Sequence, residues 1–354
     1  MSEAERDPAR ELARQVGVDF GATLTVALAY IGDRLGIFRA IADNGPLTSA
    51  ELAHRTGLEE RYLREWASTM AAAGYVDYSP SDRKFALNHA QRTVLLDEKN
   101  PFNMAGAFQY AITCIRQLSP LTEAFRHGGG VPFADFGPEI AEAIRRMFQA
   151  GYETWVASRW IPAVPDVHQR LLAGGEAAEV GCGSGQCLIP VAKAFPGSRF
   201  WGFDVDPGSI ALARQRCAQE GLASRVTFEQ VAAEAIPDSE RFDLVMAFNC
   251  LHDMANPRGA LRAIRRALKP GGATLWSEAK ASDRLEENLS TWGRSMYAAS
   301  TMHCMTVSLA HNGEGLGSVV GPGLARELAL EAGFSSFAPL PVDNPFHRIF
   351  VLLR

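Results

Sequence analysis

Six cysteines, Cys114, Cys182, Cys187, Cys217, Cys250 and Cys304, are scattered along the chain without the paired spacing of a zinc site or a small disulfide scaffold. Free, buried or half-buried thiols are expected. Nor is there a surplus of positive charge. With 35 Lys and Arg against 40 Asp and Glu, the formal net charge is −5, which argues against a general binder of nucleic acid or anionic membranes. No unbroken apolar run is long enough to span a bilayer, and the charged opening MSEAERDPARELARQ is not composed like a signal peptide. A cytoplasmic protein with no membrane partner is expected.

What is present is the composition of an ordinary globular protein, 47% apolar and 21% charged over 354 residues, long enough for more than one domain. From Asp19 to Ile41 apolar residues recur at helical spacing and cover nearly every side, so this segment is expected to pack against more than its own domain. Thr48 or Ser49 then serves as an N-cap, Gly57 as a turn, and a second helix ends near Gly74. The stretch YVDYSPSDRKFALN alternates like a short hairpin, which completes a winged helix–turn–helix. The helix that would read DNA begins LEERYLREW, where Glu59, Glu60 and Glu65 outnumber Arg61 and Arg64. That acidic face opposes phosphate contact and favours a dimer scaffold over a DNA reader.

Residues 1–98 are therefore assigned to a winged-helix dimerisation domain and 99–168 to a helical connector that also covers the substrate pocket. Residues 169–354, with short apolar strands alternating with helices, form a Rossmann-like, doubly wound α/β sheet. Two further strands in the tail are close enough to pair antiparallel at its edge. Between the first strand and its helix stands EVGCGSGQC, with Gly181, Gly183 and Gly185 at alternate positions. Such a turn lies at the carboxyl end of the strands and favours an anionic group at the free amides. The nicotinamide fingerprint needs a third glycine where Gln186 stands, and no Gly-Lys-Ser/Thr follows for a phosphate-cradling loop.

The motifs EVGCGSG, GFDVDP, FDLVMAFNCLHD and LKPGG, in this order and behind a winged-helix front end, resemble the class I S-adenosylmethionine-dependent methyltransferases, in particular the dimeric O-methyltransferase-like group. The resemblance implies S-adenosylmethionine as cofactor, a small-molecule substrate and a homodimer through the N-terminal helices. It implies cofactor contacts from Glu179, Gly181, Cys182, Gly183 and Gly185. Further contacts are implied from Asp204 and Val205 at the end of the second strand, and from Asn249. Asp204 would accept the ribose hydroxyls, with Asp206 as its rival or as a helix cap. Where many members carry an acid that reads adenine, this chain has Ala232 and Ala233, so Glu234 or the backbone must serve.

At the reacting end His252, followed by Asp253, matches the general base of the O-methyltransferases, although Met254 replaces the usual tryptophan. Its competing role is packing beneath the cofactor. Glu278 matches an acid that flanks the base; the alternative is a solvated strand end. His303 is placed across the pocket mouth, facing His252. No metal is expected, but the two histidines together are the alternative metal pair, which would suit a C-methyltransferase acting on a 2-oxo acid-like substrate. Two further alternatives are a transcription regulator that keeps the methyltransferase-like domain as a ligand sensor, and a protein that keeps the fold and cofactor but performs no methyl transfer.

Overall fold

The structure, a computed structural model, describes residues 7–237 and 239–354 and falls into two compact units, one ending at Ile112 and the other spanning Thr113–Arg354.

In the first unit the opening helix is longer than its apolar pattern suggested. It runs over Pro8–Arg34, capped by Asp7, and breaks at Gly36, whose φ of 68° restarts the chain as Ile37–Asn44. Gly32 sits inside this helix, at a cost of about 1 kcal/mol relative to alanine. A Cβ there would collide with the Trp66 indole, whose N–H reaches the Leu28 carbonyl at 2.8 Å. The helix pair Ser49–Thr56 and Glu60–Ala72 follows. Thr48 and Glu51 form a reciprocal capping box, and Gly57 takes the left-handed turn. The wing is a hairpin of β1 (Asp77–Ser79) and β2 (Lys84–Ala86). Phe38, Ile41, Leu52, Leu63, Trp66 and Met70 form the buried core.

The Pro8–Arg34 helix is also long and apolar enough, by length and composition, to cross a membrane. The sequence reading missed this because Asp19, Asp33 and Arg34 interrupt the apolar run. Leu12, Val16, Phe20 and Leu24, at steps of four residues, are all at least half exposed.

The second unit is built on a seven-stranded sheet of β3 (Glu176–Val180), β4 (Arg199–Asp204), β5 (Val226–Gln230), β6 (Phe242–Phe248), β7 (Leu268–Ala279), β8 (Ser336–Pro339) and β9 (His347–Leu353). Their order is β5-β4-β3-β6-β7-β9-β8. All pairings are parallel except those of β9, which inserts antiparallel between β7 and β8. This is the expected doubly wound sheet with an antiparallel last strand. On β6, Leu244, Met246 and Phe248 face one core, with helices Pro165–Leu172, Leu188–Ala194 and Pro207–Gln219. Val245 and Ala247 face the other, with helices Pro257–Ala267 and Pro322–Glu331. The switch point between β3 and β6 places the carboxyl ends of these strands around one crevice. At the opposite ends of the strands, buried Asp243 accepts the Glu176 N–H at 2.9 Å and Lys269 Nζ at 2.7 Å, so it is a structural acid.

The helices at 118–127 and 138–155 belong to the same unit, joined through the His127–Gly130 loop. Gly130 presses on the Thr306 carbonyl where no Cβ fits, and the next amide, of Val131, donates to Thr306 Oγ1 at 2.9 Å. This seats the connector against the segment that carries His303.

Candidate active site

The glycine turn leaves β3 and opens the Leu188–Ala194 helix. Gly181 and Gly185 have φ of 63° and 78°, a region that side chains disfavour. A Cβ on Gly181 would lie 2.5 Å from that of Cys250, and one on Gly185 would lie 2.9 Å from Ile189 Cδ1. The turn is therefore bare because the end of β6 and the new helix crowd it from behind. Cys182 and Cys187 are buried, and burial raises both thiols well above their ordinary range.

Asp204, at the end of β4, holds this turn from the side. Its Oδ2 accepts the Gly183 N–H at 2.8 Å, and its Oδ1 accepts the Asp206 N–H at 2.9 Å. Burial raises its carboxyl above the ordinary range against the pull of these amides. Asp206 takes the capping role, accepting the Ser209 N–H at 2.7 Å. A third anchor was not found in the sequence. Arg216 donates to the carbonyl and hydroxyl of Ser184 at 3.0 and 3.1 Å, and to Gln149 at 3.0 Å. Its helical spacing is that of an ordinary surface residue.

Glu179, one residue before the end of β3, is buried, and burial pushes its carboxyl well up, with the Leu188 amide opposing. Its Oε2 has no hydrogen-bond partner among the described residues. A buried carboxyl with one open oxygen fits the ammonium of the methionine portion of S-adenosylmethionine. Val205 is exposed beyond β4. Ala233 is buried and Glu234 exposed on the short helical turn Ala233–Ala235.

Asn249, just past β6, has a φ of 50° and is tied to protein groups that the sequence reading did not find. Its Nδ2 donates to the Tyr152 hydroxyl at 3.0 Å and lies 3.0 Å from His347 Nε2. Tyr152 stacks on Phe248, and burial raises its hydroxyl well above the ordinary range. Burial, then the charge on His252, lowers His347 to about 4, so its ring is neutral. Partners some 97 residues apart leave no local signal.

On the other side of Asn249, the turn Leu251–Asp253 buries His252. Its Nδ1 is hydrogen-bonded to Glu278 Oε2, and its Nε2 lies 3.1 Å from Asp253 Oδ1. Glu278 is fully buried rather than solvated, and its other oxygen accepts the Trp276 indole N–H at 2.7 Å. Burial opposes charge on His252, yet Glu278 and then Asp253 outweigh it and hold the ring well above the ordinary histidine range. Burial acts to raise Asp253, but the imidazole holds that carboxyl below its usual value.

His303 lies within electrostatic reach of Asp253 and His252. It is buried on a π-helical turn, Ser300–Cys304, with its ring edge-on to Phe133 and Phe136 at centroid distances of 5.8 and 4.9 Å. Burial lowers its affinity for a proton. Among the described residues, the group with metal-ligand geometry is His252, Asp253 and Cys304, whose donor atoms lie within 4.8 Å of one another. The third donor of that group is thus the cysteine, one residue beyond His303 on the π turn.

Residues 178–274 match the family model of a methyltransferase domain, and residues 22–96 match that of the Rv2258c-like winged HTH domain. A ubiquinone biosynthesis O-methyltransferase of Methylococcus capsulatus is 35% identical over 108 residues, 30% of this chain and 44% of that protein. The chain thus spans less than half the length of the curated relatives it matches. Along nearly the whole chain the fold is that of solved O-methyltransferases. Mitomycin 7-O-methyltransferase superposes with a TM-score of 0.71 at 21% identity, covering 98% of this chain and 99% of its own. Human N-acetylserotonin methyltransferase, solved with S-adenosylmethionine, gives 0.70 at 19% identity, covering 100% and 99%. The chain carries a class I S-adenosylmethionine-dependent methyltransferase domain behind an Rv2258c-like winged helix–turn–helix domain.

Proposed function

We propose that this protein transfers the methyl group of S-adenosylmethionine to a hydroxyl of a small-molecule acceptor, with His252 as the general base. The observation that carries this reading is the His252–Glu278 pair, buried at the carboxyl end of the central strands close behind the glycine turn. Displacement at a sulfonium methyl needs an in-line nucleophile in a water-poor site. A hydroxyl nucleophile must also lose its proton. Glu278 fixes the ring through Nδ1, which leaves Nε2 as the nitrogen that receives it. The cofactor, when bound, supplies the methyl and a positive sulfonium. That second positive charge favours release of the proton that Glu278 and Asp253 hold on His252. Glu179 and the glycine turn take the methionine end, and Asp204 with Val205 faces the ribose.

The names of two of the similar proteins, a ubiquinone biosynthesis O-methyltransferase and mitomycin 7-O-methyltransferase, support an oxygen acceptor. The winged domain is read as a dimer scaffold. On the helix that would read DNA, Arg64 pairs with Glu60 and Arg61 with Glu65, each at 2.6 Å, which leaves that helix little positive charge for phosphates. The decisive experiment incubates the full chain with labelled cofactor and a library of hydroxylated metabolites. Labelled ether or ester products, lost in His252→Ala, are expected. Cofactor binding without transfer to any acceptor would sink the reading.

A further inference from the structure

We propose that His252, Asp253 and Cys304 form a binding site for a zinc-type divalent cation, and that an ion there silences the enzyme by taking the Nε2 lone pair of His252. The second half rests on the methyl-transfer reading above, whereas the site itself does not.

A nitrogen, an oxygen and a sulfur donor lie within 4.8 Å of one another. His252 and Cys304 are buried and Asp253 is half-buried. Such a mixed set suits zinc and its neighbours; magnesium and calcium prefer oxygen throughout. Three protein donors also leave a fourth tetrahedral position open.

The ring is aimed for this task. Glu278 holds Nδ1 and is itself held by the Trp276 indole, the carboxylate–histidine arrangement that orients metal-binding imidazoles. A ring that gives its Nδ1 hydrogen to Glu278 turns a lone pair toward Asp253 Oδ1, 3.1 Å away. Two lone pairs at that distance need a cation between them, whether a proton or a metal. Asp253 Oδ1 is buried and accepts no hydrogen bond, so the direction of approach leaves its lone pair open.

Charge permits the exchange. Glu278 and Asp253 both pair with the His252 imidazole. A divalent ion would take the place of the proton on Nε2 and of the Cys304 thiol proton, two positive charges for two, so the net charge of the site is unchanged on binding. The π-helical turn that carries Cys304 is a local departure of the kind that recurs at functional sites.

The test titrates the full chain, free of cofactor and acceptor, with Co²⁺ and then Zn²⁺. Saturable, stoichiometric binding is expected, with a thiolate-to-cobalt charge-transfer absorption that zinc displaces. Cys304→Ser should abolish that absorption, Asp253→Asn should weaken binding by about tenfold or more, and Cys217→Ser should change neither. In the parent, zinc should also protect Cys304 from alkylation, a readout that needs no variant to fold. An absorption missing from the parent, or surviving in a folded Cys304→Ser, overturns the site. Saturating zinc should then suppress methyl transfer and a chelator should restore it; bound zinc with unchanged turnover overturns the silencing. A chain that methylates no acceptor with or without metal fails the functional reading alone, because the titration still decides the site.

Discussion

Glu278 and His252, 26 residues apart, meet at the carboxyl ends of adjacent parallel strands, and the carboxylate is fully buried with its second oxygen on the Trp276 indole. So complete a set of partners leaves Glu278 one orientation, and through it His252 one orientation. Glu278 is a positioning residue for the proposed base. Glu278→Gln should lower kcat by roughly one to two orders of magnitude with KM for the cofactor nearly unchanged. His252→Ala should lower kcat by about two to four orders. Steady-state kinetics on both variants checks the pair, and equal loss of cofactor affinity in either would assign it to packing instead.

Much of this arrangement could be read from local pattern. Three alternating glycines at a strand–helix junction, an acid at the next strand's end and a His-Asp pair two strands later are short-range features. The steric needs of a doubly wound sheet place them at one crevice. Burial of Glu278 was not readable, because a strand end looks the same whether water or Trp276 lies beside it. The Tyr152–Asn249–His347 network joins a connector helix, a loop and the last strand, and only the tertiary fold brings these together. The part of Cys304 was hidden for a related reason. A π turn shifts the phase of the helix and brings Cys304 to His252 and Asp253.

Asp204 holds two amides and, in the proposed reading, also meets the ribose. Asp204→Ala should weaken S-adenosylmethionine binding by roughly tenfold or more, since the Gly183 N–H loses its acceptor along with any hydroxyl contact. Calorimetry on the variant measures this. Unchanged affinity would leave Asp204 a purely structural clasp.

Leu12, Val16, Phe20 and Leu24 line one stripe of the Pro8–Arg34 helix and are all at least half exposed. An apolar stripe of this length is costly in water and suits a matching surface. A second copy of the chain is the proposed partner. The double variant Phe20→Asp, Leu24→Asp should shift light scattering from dimer to monomer while far-ultraviolet circular dichroism keeps its helical shape. A parent that is already monomeric at low concentration would refute the assignment.

Glu179 ties stability to function in opposite directions. Its carboxyl is raised well above the ordinary 4.5 in the ligand-free fold, chiefly by burial. Below that ordinary value the group is protonated in both folded and unfolded chains and costs nothing. As pH rises further, the unfolded chain ionises first, so stability is lost until the folded-state group ionises as well. Glu179→Gln removes this penalty. The variant should therefore match the parent in Tm near pH 4.5, exceed it increasingly as pH rises, and level off once the parent's carboxyl is ionised in both states. Bound S-adenosylmethionine reverses the ranking, because its ammonium pairs with the carboxylate and not with the amide. The affinity of the variant should fall about tenfold, and the rise in Tm on adding cofactor should shrink accordingly. Differential scanning calorimetry across pH, with and without cofactor, reads both effects. A ligand-free variant that melts below the parent at neutral pH would show that the buried carboxyl is satisfied without a ligand.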